Sequence, residues 1–126
     1  QLRRRAPGLF SRGAYLPLLP TGARAEHALC FARLDRTQAA ICIAGRFFAA
    51  FATRTGGLPL GEAWEDTALP WPAPLPRGRY RDVLTGEALA LDQLLVGDPP
   101  RVPLAAVLTR LPLALLCYEP EAEKTP

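Results

Sequence analysis

The stretch ALCFARL-DRT-QAAICIAGRFF, residues 28–48, decides the fold. Two apolar runs, residues 28–34 and 38–48, flank the polar connection 35–37, which has the length of a hairpin turn. Both runs are apolar at odd and at even positions, a pattern typical of strands in the middle of a sheet that is covered on each side. The stretch therefore predicts an antiparallel strand pair at the centre of a sheet.

The hairpin also makes a prediction about two of the three cysteines. If Leu34 pairs with Gln38 across a three-residue connection, Cys30 faces Cys42 directly. With Cys117 the cysteine count is odd, no signal-peptide pattern is present, and no Cys-x-x-Cys spacing occurs. These features favour free thiols in a reducing, cytoplasmic compartment. We therefore expect Cys30 and Cys42 to be neighbours that are not bonded.

The rest of the chain predicts further short strands separated by turns, because prolines number 14 and glycines 10. Residues 103–109 fit either a single helical turn or an irregular strand, and Pro17 makes the first strand an edge strand because it lacks an N–H. The expected strands are residues 13–19, 67–69, 80–84, 88–91 and 111–118. The fold class predicted is all-β, an antiparallel β-sandwich or Greek-key domain of about seven to eight strands.

The chain ends suggest how this domain is bounded. Residues 1–6 read as the tail of a helix that Pro7-Gly8 stops, and the chain starts at Gln1 and contains no methionine. We therefore expect an excised piece of a longer protein. Residues 1–9 are interpreted as the end of a preceding helix, residues 10–118 as the β-domain, and residues 119–126 as a flexible tail.

Charge and hydropathy exclude two classes of partner. The net charge is +3, and 14 of the 15 basic residues are arginines that interleave with carboxylates instead of forming a basic stripe. A nucleic-acid groove needs such a stripe with interleaved aromatics. Arg46 and Arg110 interrupt the two longest apolar runs before they reach the roughly 18 residues of a membrane span. We expect neither a nucleic acid nor a membrane as partner.

The inventory of reactive side chains argues against catalysis. The chain has one histidine, His27, and one serine, Ser11, and it contains no asparagine. The Gly-x-Ser-x-Gly pattern is absent, and no Cys/His cluster has zinc spacing. A Ser11–His27 pair remains a formal alternative, although His27 reads as an ordinary, partly exposed histidine. We predict no catalytic residue, no metal site and no cofactor.

Three carboxylates near a tryptophan offer the best test of glycosidase chemistry, which needs two carboxylates. Glu62, Glu65 and Asp66 flank Trp64. One interpretation is an acid/base pair beside an aromatic that stacks on sugar. The other, which we favour, is a polar loop around one buried tryptophan, because nothing in the sequence buries the carboxylates.

Aromatic side chains that stack on sugar rings are the remaining candidates for binding, and core packing is their commoner role. Trp71 stands between Pro70 and Pro72, a setting that predicts rigid presentation at the surface. Trp71 is therefore the candidate substrate-binding residue. The other aromatic residues suited to stacking on sugar rings are Trp64, Tyr15 and Tyr80.

Seven segments, taken in order, form a recognisable pattern. They are Leu-Arg-Arg-x-x-Pro-x-Leu-Phe from Leu2, Gly-Ala-Tyr-Leu-Pro-Leu from Gly13, Arg-Ala-Glu-His from Arg24, Phe-Ala-Arg from Phe31, Trp-Glu-Asp-Thr-Ala-Leu-Pro from Trp64, Tyr-Arg-Asp-Val-Leu-Thr-Gly from Tyr80 and the ending at residues 111–116. Together these segments resemble the C-terminal β-domain of the maltooligosyltrehalose synthases, a family of the α-amylase superfamily (glycoside hydrolase family 13). Relatives often carry glycine where this chain has Glu65, and residues 92–103 look like extra length.

The resemblance implies a role inside a larger enzyme. Such enzymes convert the reducing-end α-1,4 linkage of a maltooligosaccharide to an α,α-1,1 linkage, and their aspartate nucleophile and glutamate acid/base belong to a (β/α)₈ barrel. No residue here matches them. The implied role is packing on the barrel and stabilising it. A stand-alone carbohydrate-binding module and a protein-interaction domain remain the alternatives.

Strands that are apolar on both faces have one more consequence. A two-layer sandwich of this size covers one face of each sheet, so something else must cover the other face. We expect a contiguous apolar patch near Phe47, Phe48 and Phe51 that the barrel covers and that makes the isolated domain self-associate.

Overall fold

A computed structural model of the chain describes residues 14–35, 38–45 and 60–120. Eight strands lie in this part of the chain, and all their pairings are antiparallel. They are β1 (Ala14–Leu18), β2 (Ala28–Leu34), β3 (Ala39–Gly45), β4 (Ala68–Pro70), β5 (Arg79–Asp82), β6 (Ala88–Ala90), β7 (Arg101–Pro103) and β8 (Leu113–Tyr118). The predicted all-β, antiparallel sandwich is confirmed.

The strands form two layers around one core. The first layer is a six-stranded sheet in the order β1-β2-β3-β8-β5-β6, and the second contains the β4–β7 pair. Three short helical turns complete the second layer: a 3₁₀ turn at Gly61–Trp64, α1 at Leu91–Leu94 and α2 at Leu104–Val107. Fully buried apolar side chains from both layers fill the space between them: Ile41, Ile43, Leu116, Trp64, Leu69 and Leu104.

The sheet is completed by its last strand. β8 pairs with β3 from Ala40↔Cys117 to Ala44↔Leu113, and on its other side it pairs with β5 at Tyr80↔Tyr118. Within the described residues, β1–β3 and β5–β6 share no direct pairing. The two halves of the sheet therefore meet only through β8.

The sequence located most of these elements. β1 is an edge strand that carries Pro17, β6 pairs back on β5, and α2 is the single helical turn that was one of two alternatives for its segment. α1 and β7 were missed. β7 has three residues and is defined by its pairing with β4, so no local sequence pattern predicts it. The end of the first hairpin, residues 46–48, and the expected leading helix lie outside the described residues.

The predicted hairpin register is wrong by one residue. Leu34 pairs with Ala39 because the Asp35 N–H bonds to the Gln38 carbonyl (3.0 Å), which leaves a two-residue connection in place of three. Cys30 consequently faces Ile43, and Cys42 faces Phe31. A shift of one residue turns a side chain to the other face of the sheet. Cys30 lies in the core while Cys42 lies on the opposite face, so the two are not neighbours, and none of the three cysteines forms a disulfide.

The loop after β1 is joined to the start of β4 by backbone contacts. Thr21 and Ala68 exchange two backbone hydrogen bonds of 2.8 Å. Gly22 has φ of +111°, and a Cβ placed there would lie 2.6 Å from the Cα of Thr67. The Asp66 carboxylate also accepts the Ala23 N–H (2.8 Å). This layer junction fixes the second layer against the sheet.

Glu65 adopts an unusual backbone conformation within the same junction. Its φ is +53° and its ψ is −128°, a combination that glycine adopts readily and other residues adopt with strain. The Glu65 carboxylate lies 2.6 Å from Nη2 of Arg24, whose side chain is largely buried. The conformation favours glycine at this position, and the ion pair with Arg24 holds the glutamate in place.

The layer junction predicts that Gly22→Ala destabilises the fold. The new methyl group meets backbone atoms that have no room to move, so we expect a loss of about 3 kcal/mol in the free energy of unfolding. Gly86→Ala is the matched control: its φ is +82°, and a Cβ there meets nothing within 4 Å, so about 1 kcal/mol is expected. Urea unfolding measures both. Equal losses would show that the close approach at Thr67 is unimportant.

The backbone at Glu65 predicts an order of stability between two variants. Glu65→Gly and Glu65→Ala both remove the ion pair with Arg24, so the difference between them reports the backbone. We expect the glycine variant to be more stable by about 1 kcal/mol after the entropy of glycine in the unfolded chain is counted. Thermal and urea unfolding of the pair test this, and an alanine variant at least as stable as the glycine variant contradicts it.

Candidate functional surface

Trp71 lies in the core and not on the surface. Its side chain is 8% exposed, its indole N–H donates to the Leu75 carbonyl (3.1 Å), and its ring meets Tyr80 edge-on at 5.8 Å. The expectation of surface presentation is therefore wrong. The two flanking prolines fix the backbone but do not aim the side chain outward. Alternation from buried Leu69 across exposed Pro70 places Trp71 inward, a signal that was available in the sequence. Substrate contact by Trp71 stays a prediction.

The carboxylates near Trp64 are used in packing and turn formation. Trp64 is fully buried, which confirms the interpretation of a loop around one buried tryptophan. Glu65 pairs with Arg24, and Asp66 accepts a backbone N–H at the layer junction. Glu62 is exposed to solvent. Two of the three carboxylates thus have structural partners, and the group does not form a buried acid/base pair.

The single histidine is more buried than expected. His27 is 7% exposed, and its Nε2 lies 3.7 Å from a carboxylate oxygen of Glu26. The expectation of a partly exposed histidine is wrong because the 3₁₀ turn at Ala25–His27 directs it inward before β2 begins. Ser11 lies outside the described residues, so the Ser11–His27 alternative is untested.

The described residues offer neither a cluster of metal ligands nor a membrane-spanning helix. In ranges 14–35, 38–45 and 60–120, no three His, Cys, Asp or Glu side chains gather closely enough to hold a metal ion. No helix in those ranges has the length and apolar character needed to cross a bilayer.

The face of the six-stranded sheet that points away from the core, here called the outer face, is apolar. Leu29, Ala44 and Leu113 lie side by side on β2, β3 and β8. Leu29 is 53% exposed and Leu113 is 41% exposed. The next row, which crosses β1, β2, β3 and β8, is also apolar. From the edge strand inward it consists of Pro17, Phe31, Cys42 and Leu115.

The thiol in this row behaves as an apolar group. Cys42 is half-buried, and burial raises the pKa of its thiol. Free cysteine in such a position packs as a small hydrophobe. Cys42 therefore extends the apolar row between Phe31 and Leu115 and does not introduce a reactive thiolate.

Charged and aromatic groups border the outer face. On the β1–β2 side, the guanidinium of Arg33 lies 5.3 Å from the centre of the Tyr15 ring. On the β5 side, Nε of Arg81 lies 2.6 Å from the Glu119 carboxylate, and this hydrogen bond and charge raise the pKa of Arg81. An apolar surface with a polar rim is typical of a protein–protein contact.

The apolar patch expected near Phe47, Phe48 and Phe51 cannot be compared directly with the structure, because these residues lie outside the described part of the chain. The strand order and the register together define the outer face. Sequence alone indicated that both faces of β2 and β3 are apolar. It did not show that Leu113 and Leu115 of β8 extend the same surface.

Comparison with known proteins gives one informative match. No protein-family model matches this chain, and no curated protein matches it. A solved structure, that of a mutant of maltooligosyltrehalose synthase from Arthrobacter ramosus, is similar to it with a TM-score of 0.57 and 31% sequence identity. The match covers 91% of this chain and 12% of that chain. The similarity agrees with the resemblance read from the sequence motifs and supports this chain as a domain of that kind of enzyme.

Proposed function

We propose that this chain is the non-catalytic β-domain of an enzyme that converts the reducing-end α-1,4 linkage of maltooligosaccharides to α,α-1,1. The observation that carries the proposal is the match to maltooligosyltrehalose synthase, which extends over 91% of this chain but only 12% of the other. We assign the chemistry to the remainder of the larger chain. The parent enzyme acts as an intramolecular transglucosylase, and its substrate is the maltooligosaccharide.

The role proposed for the domain is to pack on the catalytic barrel and stabilise it. The outer face supplies a surface for this contact, because Leu29 and Leu113 expose apolar groups to water in the isolated domain. Covering them with a second apolar surface contributes roughly 25 cal/mol per Å² removed from water. The rim pairs at Arg33 and Arg81 then remain at the edge of the contact, where charged groups are tolerated.

The catalytic groups are assigned to the barrel. Glu65 and Asp66 are engaged at the layer junction, and Asp82 is buried and accepts the backbone N–H groups of Leu84 (3.0 Å) and Leu115 (3.4 Å). These carboxylates support structure. Three cysteines that form no disulfide are in line with the cytoplasmic location that we propose for the whole enzyme.

The outer face predicts self-association of the isolated chain. Sedimentation velocity at rising protein concentration should show a growing share of dimers or larger species, because exposed apolar surface is buried between copies. Leu29→Asp should abolish this growth. Leu84→Asp is the matched control, because Leu84 is 44% exposed and lies in the turn after β5. A wild-type chain that remains monomeric at all concentrations contradicts the assignment of the outer face.

The same substitutions test barrel docking in the polypeptide that carries this domain. Leu113→Asp should lower its stability by about 3 kcal/mol, since a charge would be buried without a partner. Leu84→Asp should leave stability unchanged. Equal thermal stability of the two variants would contradict docking through the outer face, and a parent polypeptide without a barrel would refute the proposed function itself.

The isolated chain is predicted to be catalytically silent. Incubation with maltopentaose should cause no loss of reducing ends above the buffer blank, because the nucleophile and acid/base are assigned to the barrel. The polypeptide that contains the barrel is the positive control. Activity that persists through repurification of the isolated chain would contradict the prediction.

A further inference from the structure

Tyr118, the last residue of β8, lies between two cavities at one end of the sheet. The first, of about 380 Å³, is lined by Arg77, Arg79, Asp92, Gln93, Tyr118 and Glu119. The second cavity, of about 460 Å³, is also lined by Tyr118. Its other lining residues are Leu34, Asp35, Gln38, Pro74, Pro76 and Pro120. Both volumes lie within the range of small-molecule sites. We call the two together the Tyr118 groove.

The charges in the first cavity balance. Two arginines, Arg77 and Arg79, face two carboxylates, Asp92 and Glu119, so their formal charges cancel. A phosphate or nucleic-acid site needs an excess of positive charge, and a cation site needs an excess of negative charge. A neutral ligand rich in hydroxyl groups suits this lining better, because each hydroxyl both donates and accepts hydrogen bonds.

Contacts within the protein already hold the Arg79 and Glu119 side of the first cavity in place. The Glu119 carboxylate lies 3.4 Å from Nε of Arg79 and 2.6 Å from Nε of Arg81, and the Glu119 N–H donates to the Arg79 carbonyl (2.8 Å). Side chains that are ordered before binding reduce the entropy that a ligand must offset. Asp92 and Gln93 stand on the opposite wall, in α1, and both are exposed to solvent.

Tyr118 and three prolines supply the apolar part of the groove. The Tyr118 ring is half-buried and rests 5.3 Å from the ring of Tyr80, whose hydroxyl donates to the Pro76 carbonyl (2.7 Å). The ring is thus held by the core while it lines both cavities. An aromatic ring beside rigid prolines offers a flat surface for the C–H face of a sugar.

We propose that the Tyr118 groove binds a short, uncharged oligosaccharide. The choice of an α-1,4-linked glucan as the ligand rests on the proposed function, whereas the groove itself rests on the balanced charge of its first cavity and on the aromatic wall. The contact is one of binding, with no bond made or broken. The aromatic wall is separate from the outer face, because Tyr118 lies on the core side of the sheet, paired with Tyr80, and the groove and the border of the outer face share Glu119.

Titration of the isotopically labelled full chain with maltopentaose, followed by amide NMR, tests the proposal. Shifts should concentrate at Tyr118, Asp92 and Gln93 and should saturate. Asp92→Ala should weaken binding about tenfold, which corresponds to the loss of a charged hydrogen bond. Asp98→Ala is the matched control, because Asp98 is exposed and lies outside the groove. Cellopentaose and inorganic phosphate are the comparison ligands.

Each outcome decides the proposal. Saturable maltopentaose binding that Asp92→Ala weakens and Asp98→Ala does not supports the proposal, and Tyr118→Leu should weaken binding because leucine is apolar but offers no flat ring. Absence of binding up to about 10 mM maltopentaose, which would reveal a dissociation constant in the millimolar range, overturns the proposal, as does equal binding of phosphate. If the full chain does not bind maltopentaose but Leu113→Asp still destabilises the polypeptide that carries the barrel, the groove proposal is refuted and the proposed function stands.

Discussion

The pairing of β8 between β3 and β5 is the constraint on which the rest of the structure depends. This strand arrives last in the chain, yet it joins the two halves of the sheet. Successive side chains point to opposite faces, so β8 places Leu116 in the core and Leu115 on the outer face. Its final residue, Tyr118, forms the wall of the groove. One six-residue strand thus contributes to the core and to both proposed surfaces.

The motifs that carry the family resemblance turn out to be structural. Within Tyr-Arg-Asp-Val-Leu-Thr-Gly, the Asp82 carboxylate accepts the Leu84 N–H and the Asp82 carbonyl accepts the Gly86 N–H (2.6 Å), which closes the turn after β5. The Trp64 motif provides the layer junction with Gly22. Motifs used in this way stabilise the fold, so the resemblance that they carry is one of structure.

The two proposed surfaces suit different partners. The outer face is apolar and bordered by a cation–π contact and an ion pair, which suits a permanent contact with another protein surface. The Tyr118 groove is mixed in polarity, and its first cavity is balanced in charge, which suits a small neutral ligand. Tyr118 lies on the core side of the sheet, so a barrel packed on the outer face leaves the Asp92 wall of the first cavity uncovered by the same contact.

The sequence by itself determined where most strands lie, that β1 is an edge strand, and that catalytic side chains are scarce. These properties follow from local patterns: apolar runs, prolines and the residue inventory. Only the tertiary structure decided the register at Cys30, the existence of β7 and the position of β8 in the sheet. The reason is physical. Register parity depends on a single turn-closing hydrogen bond at Asp35, and strand partners are chosen by contacts between residues far apart in sequence, which no local pattern records.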